Sequence, residues 1–341
     1  MKNISLSILS EFRSELMGFA MLMVVFHHIA IDINSSLFAF LHYHGGFGVD
    51  VFLLLSGLGL YFSTKKGLNL KEFYLKRIIR IIPIYAIVIA VVTLIKGPYN
   101  LNDYLVKVST LGYWFNGPIF DWFIPALLFL YLIYPLFYYV LNKNSIVSLI
   151  LVILIYFVVM VLPIGSDFGF LYRIPTFLIG IILGKLIVNR NEYPFKGMYL
   201  VIYSFFAIGV ILLIYAFDMY YQKGLNPTII PELKINGWLW LPYFLLTIGF
   251  SLFVAFVFKK MASKKLNNFF AFIGGISLEI YLIHSQFIEL TRYITNEYHL
   301  SKPLIGFILI SLSFIVAYYF SKLNVIIMNV LNKKLLNIKT I

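Results

Sequence analysis

The sequence predicts an all-α protein: a polytopic membrane bundle of about ten transmembrane helices in a single integral domain, 1–341. Three observations carry that expectation. Hydrophobic residues make up 61% of the chain and charged residues 12%, and the mean hydropathy is +0.92, which leaves too little polar surface for a soluble shell. The apolar residues come in runs close to the roughly 20 that cross a bilayer core as helix. Lys and Arg are unevenly shared between alternate connections, as the positive-inside rule requires.

Taken in order, the runs are Glu15 to Ile33, Gly46 to Phe62, Ile78 to Ile95, Asp121 to Leu141, Ile146 to Leu162, Phe170 to Val188, Met198 to Phe217, Trp238 to Phe258, Phe269 to Thr291 and Pro303 to Val325. The first is too long for the apolar region of a secretory signal and has no small-residue cleavage site behind it, so it is read as a retained helix. The second carries Gly57 and Gly59, small residues that let a helix approach its neighbours. The third is entered through Lys76, Arg77 and Arg80 and holds Pro83 and Tyr85; the fourth begins at Trp122, and Arg173 enters the sixth just before Pro175. No stretch between runs exceeds a loop or a short interfacial element, so no appended enzyme is expected.

Alternating the connections places 20 of the 27 Lys and Arg residues on one side and 7 on the other, so both termini are expected in the cytoplasm. The net charge of +13 then orients the chain and meets anionic lipid headgroups, and no nucleic acid is expected as a partner. The chain has no Cys, which excludes disulfides and thiol chemistry. Heavy use of Lys and Ile with little Arg hints at an AT-rich bacterial genome. No fixed-period repeat stands out, nor the pair of interrupted helices that marks an inverted-repeat transporter. The longer external connections, 97–120 and 218–237, hold Trp114 and Tyr220, which suit either a headgroup belt or a sugar ring.

Ionisable groups inside a membrane are costly and therefore point to function. His28 lies roughly 20 Å above Glu15 along the first helix at 1.5 Å per residue, and Asp50 lies about one turn below the outer start of the second. At a shared depth, the carboxylate could accept one ring N–H of His28 and leave the other nitrogen to take a proton from a hydroxyl. The bland alternative is a satisfied polar pair between helices. His27 points about 100° away and is read as a packing or orienting residue. Arg77 and Arg80, three apart, share a helix face and suit phosphate oxygens, or else snorkel to lipid phosphates. Arg173 suits an oxyanion, or a pairing with Asp167 or Asp50. Glu279 and His284, five apart, do not stack on one face and are not read as a dyad, and Ser56 is open as a nucleophile without support, since it would sit well below His28 in depth. His42, His44 and His299 are read as loop residues, and no pair of His or carboxylates has metal-ligand spacing except the adjacent His27 and His28, which do not easily chelate from one helix.

The order of these pieces resembles the acyltransferase 3 family of integral membrane acyltransferases, from Arg13 to about Gln286. The segment ending in His27-His28 is similar to the family signature in which an Arg precedes an essential His, and His28 takes the His position. Gly48-Val49-Asp50-Val51-Phe52 leading to Leu55-Ser56-Gly57-Leu58 matches a second family segment. Arg77 and Arg80 match an Arg-x-x-Arg element to which CoA phosphate binding is attributed; segments at Trp122, Arg173 and Ser277 to His284 complete the set. One register departs: the signature Arg position holds Met17, and Arg13 lies one turn earlier on roughly the same face. Arg13 then takes over donor binding, or the chain belongs to a subgroup with another acceptor, or transfer activity is lost.

The resemblance implies acyl-CoA as donor, acetyl-CoA first among them, no metal, and a carbohydrate acceptor of the cell envelope or a secreted glycan. It implies His28, Asp50 and Arg173 as catalytic residues and Arg13, Arg77 and Arg80 as donor-binding ones, with His27, Ser56, Tyr85, Trp122, Glu279 and His284 as further candidates. It places the chain in a bacterial cytoplasmic membrane beside lipids and polysaccharide-assembly proteins. The rival expectation is a transporter or flippase of a lipid-linked saccharide or small acid, with His28 and Asp50 as a proton-coupling pair.

Overall fold

The computed structural model describes residues 5–29, 36–97, 100–115, 122–161, 166–189, 197–218, 229–230, 235–236, 240–261, 263–299 and 301–336. The described chain is almost entirely helical. Its helices are α1 (Ile8–Glu11), α2 (Arg13–His28), α3 (Ser36–His44), α4 (Gly48–Thr64), α5 (Leu70–Lys96), α6 (Leu101–Val108), α7 (Leu111–Phe115), α8 (Phe123–Lys143) and α9 (Ser145–Val161), followed by α10 (Ile174–Val188), α11 (Met198–Phe217), α12 (Trp240–Met261), α13 (Lys264–Gly275), α14 (Ser277–Tyr298) and α15 (Lys302–Leu336). Short 3-10 turns at Gly45–Phe47 and Ser166–Arg173 lead into α4 and α10. Ile229–Ile230 and Ile235–Asn236 form a two-residue antiparallel ladder.

Local chemistry accounts for many of the boundaries. Asn69 caps α5 by accepting from the Glu72 backbone N–H at 3.1 Å, and Glu72 in the first turn complements the helix dipole. Asn144 caps α9 through the backbone N–H groups of Ile146 and Val147. Pro175 sits in the first turn of α10, where its missing N–H costs nothing. Gly97 ends α5 and His299 ends α14, both with positive φ.

Among the described residues, seven helices are long and apolar enough to cross a membrane, and the α13–α14 pair would make eight. Of the remaining expected spans, α9 has 17 residues and α2 has 16. The outer faces agree with a lipid setting. Only 17% of the span window in α11 and 22% of that in α15 is covered by protein, and large side chains such as Leu200, Ile211, Phe307 and Ile315 stand exposed. The protein is therefore a multi-pass helical membrane protein.

Several boundaries differ from expectation. The ninth run breaks at Ile276 into α13 and α14, because Gly274 and Gly275 weaken the helix there without lowering its hydropathy. His42 and His44 lie in α3 and not in a loop, and α3 joins α4 in one apolar stretch, Leu37–Thr64. The last helix continues well past Val325, to Leu336. Ile33, Asp121, Leu162, Tyr220 and Trp238 lie outside the described residues, as does the side chain of Asp167.

The chain falls into two compact units that interleave in sequence. The first comprises Met1–Val24, Tyr43–Gly67 and Ile133–Gly275, and its backbone-to-backbone core is the crossing of α4 and α10. A Cβ on Gly180 would lie 2.1 Å from the Leu54 carbonyl oxygen, and one on Gly57 would lie 2.2 Å from that of Phe177. Two glycines therefore admit each other's helices, the close approach that small residues permit in membranes. Gly180→Ala is expected to cost about 3 kcal/mol, the upper end of ordinary overpacking, read as a lowered midpoint of thermal unfolding in detergent micelles. An unchanged midpoint would contradict the crossing. Elsewhere in this unit, Gly18 and Gly274 play the same part between α2 and α13.

The second unit comprises Val25–His42, Leu68–Leu132 and Ile276–Ile341. Here α14 packs along α15, and both meet α5. A polar clasp joins the three helices. Asn324 of α15 donates to the buried Glu279 carboxylate of α14 at 2.6 Å and to the Arg80 carbonyl of α5 at 3.4 Å.

Candidate active site

In the second unit, the last turn of α2 presents His27 and His28, and α14 presents His284. His28 Nδ1 and His284 Nε2 lie 3.3 Å apart, within hydrogen-bonding reach. His284 is buried, and its Nδ1 donates to the Ile280 carbonyl at 2.9 Å, one turn back along its own helix. Tyr281 lines this pair. Its ring meets His284 edge-on at 5.6 Å and Phe123 at 4.9 Å, and its hydroxyl accepts from the Phe123 backbone N–H at 3.4 Å. Trp122 packs edge-on against Phe123 and is half-buried just ahead of α8.

His27 has a separate bond. Its Nδ1 donates to the His42 carbonyl at 2.8 Å, and His42 Nε2 donates to the Ile29 carbonyl at 2.7 Å, so the two rings clasp the end of α2 to the last turn of α3. This gives His42, expected to be a loop residue without a task, a structural one. Glu279 answers to Asn324 and His284 to His28, so the two do not form a dyad, in keeping with their five-residue spacing.

Further along the same unit, Arg77 and Arg80 share one face of α5 but differ in setting. Arg77 is half-buried, with its guanidinium 4.6 Å over the Phe73 ring, and it lines a cleft of about 490 Å³ with Tyr74, Trp114, Phe129 and Tyr131. Arg80 is exposed, and its backbone is tied to Asn324. Tyr85 is buried and donates to the Lys107 carbonyl at 3.4 Å, which fastens α5 to α6. That bond is structural.

In the first unit, Asp50 of α4 and Arg173, at the end of the 3-10 turn, are both buried and form an ion pair at 3.7 Å. Asp50 is one of the two partners expected for Arg173; the side chain of the other, Asp167, lies outside the described residues. The Arg173 guanidinium also stands 4.5 Å over the Trp240 ring, on which Tyr172 stacks at 6.1 Å. A second polar contact in this unit joins His44 Nδ1 to the Tyr243 hydroxyl at 2.9 Å. Arg13 Nε donates to the Leu55 carbonyl at 3.1 Å, and its guanidinium occupies the space that a side chain on Gly59 would take, with Nη2 2.5 Å from such a Cβ. Gly59 thus serves Arg13, not only helix packing. Ser56 is half-buried on α4. Among the described residues, no three His, Asp or Glu side chains gather as metal ligands.

Residues not singled out in the sequence are Tyr281, Trp240, Tyr243 and Asn324. Gly180-x-x-x-Gly184 is a sequence signal that points to the α4–α10 crossing. A family model described as an acyltransferase domain, that of the acyltransferase 3 family, matches residues 16–322, nearly the whole chain. Neither the curated proteins nor the solved structures give a significant match.

Proposed function

The chain belongs to the acyltransferase 3 family, and from that premise we propose that it is a membrane O-acyltransferase, in the first place an O-acetyltransferase. Its donor would be acyl-CoA and its acceptor a hydroxyl of a cell-envelope or secreted carbohydrate. The observation that carries this reading is His28, the half-buried imidazole that the resemblance sets at the family's signature position, engaged through one nitrogen by the buried imidazole of His284.

In the proposed step the acceptor hydroxyl gives its proton to His28 as its oxygen attacks the thioester carbonyl carbon. The carbon–sulfur bond then breaks, and the CoA thiolate leaves with the proton that His28 returns. Arg77 and Arg80 are assigned to the CoA phosphates, for which paired guanidiniums on one helix face are suited. The uneven Lys and Arg distribution supports a cytoplasmic membrane with both termini inside, where a cytosolic donor reaches α5.

Isotope-labelled acetyl-CoA offered to the purified protein with candidate glycans tests the reading. Covalent label on the glycan is the expected result. Movement of label or glycan across vesicles without a covalent product would identify a transporter and end the enzymatic reading. Replacing Arg77 and Arg80 together by Gln is expected to raise the donor KM about 10- to 100-fold, the size of one or two lost charge-assisted hydrogen bonds. An unchanged donor KM would return both arginines to a topological role.

A further inference from the structure

We propose that His284 is a positioning residue that fixes the tautomer of His28, so that Nε2 of His28 is the nitrogen that accepts the proton. This rests on His28 being the base.

The assignment follows from one group that cannot donate. The Ile280 carbonyl accepts from His284 Nδ1, so that nitrogen carries the proton. A buried imidazole without a carboxylate on either nitrogen is least costly as the neutral ring. The His284 lone pair then sits on Nε2. The atom 3.3 Å away is His28 Nδ1, which must donate to it, and the lone pair of the neutral His28 ring falls on Nε2. The order Ile280 carbonyl, His284, His28 does what a carboxylate does in a hydrolase triad, with a neutral acceptor in its place. When His28 takes the proton, its Nδ1–H keeps the same acceptor, and nothing has to reorient.

The surroundings hold His284 to that task. Its ring is buried, its Nδ1 is bonded within its own helix, and its neighbour Tyr281 is fixed by the Phe123 backbone N–H. His27 stands 5.1 Å ring to ring from His28 and is bonded to the His42 carbonyl, so it too is oriented by main chain. A group present only for packing would need neither the ring nor the two nitrogens of His284.

The test uses the full-length protein in detergent micelles, with histidine labelled by nitrogen-15 and the His28 signal assigned by its loss in His28→Gln. In the wild type, His28 should show a protonated Nδ1 and an unprotonated Nε2. In His284→Leu the tautomer should redistribute toward protonated Nε2, and kcat for acyl transfer should fall about 100-fold with the donor KM unchanged. His284→Gln should recover to within about tenfold of wild type, because its amide oxygen reaches the Nε2 position and accepts from His28. His284→Asn, too short to reach, should not.

An unaltered His28 tautomer in His284→Leu, or equal rates for Gln and Asn, would overturn the assignment. If leucine prevents folding, the Gln and Asn pair still decides. Full activity in His28→Ala would instead overturn the reading of His28 as the base, a failure that the tautomer measurement registers separately.

Discussion

His28→Ala is expected to lower acyl transfer about 10²- to 10⁴-fold, the usual contribution of a positioned general base, while the amount of protein in the membrane stays the same. The second half of that expectation comes from where the ring sits. His28 closes the last turn of α2 and is only half-buried, and the clasp between α2 and α3 belongs to His27 and His42. Removing His28 leaves that clasp and the Ile280–His284 bond in place. His27→Ala should show the opposite balance, with a loss of stability larger than its loss of turnover. Membrane abundance and transfer rate measured on the same preparations separate the two.

Asp50→Ala carries the largest expected cost in stability. Asp50 and Arg173 are buried together, and removing one member of such a pair takes a counter-ion from the other, typically a loss of about 3–5 kcal/mol. A lowered unfolding midpoint in detergent micelles would register it. Adding Arg173→Leu to Asp50→Ala should restore part of the loss, since an apolar side chain in that site strands no charge. If Asp50→Ala and the double variant unfold at the wild-type midpoint, the pair contributes nothing to folding. The Trp240 ring beneath the guanidinium offsets only a fraction of the cost, because a cation–π contact is worth about 2 kcal/mol even when desolvated.

The helices were legible because hydropathy in a membrane protein is a one-dimensional signal. Runs of about 20 apolar residues announce themselves, and most found a helix close to the expected place. The break at Ile276 was not legible, since two glycines interrupt a helix without interrupting its apolar character. The Asp50–Arg173 pair was foreseen as one of two choices because both residues sit where their runs begin. His284 was visible as a polar residue in an apolar run, but its partner lies 256 residues away and no local pattern names it. The same holds for Glu279, whose clasp with Asn324 depends on how α14 and α15 pack and not on any motif.

Arg13 has a contact that its place in the sequence does not announce. The signature position holds Met17, and the nearby Arg13 reaches α4, where it bonds the Leu55 carbonyl over the bare face of Gly59. This gives the residue an anchoring task between helices. Donor binding by Arg13, implied by the resemblance, remains a proposal alongside it.

The most direct measurement is mass spectrometry of surface glycans from cells lacking the gene, complemented with either the wild-type chain or His28→Ala. The acyl mass increment on the glycan is expected to disappear in the deletion, return with the wild type and stay absent with His28→Ala at equal membrane abundance. An increment restored in full by His28→Ala would contradict it.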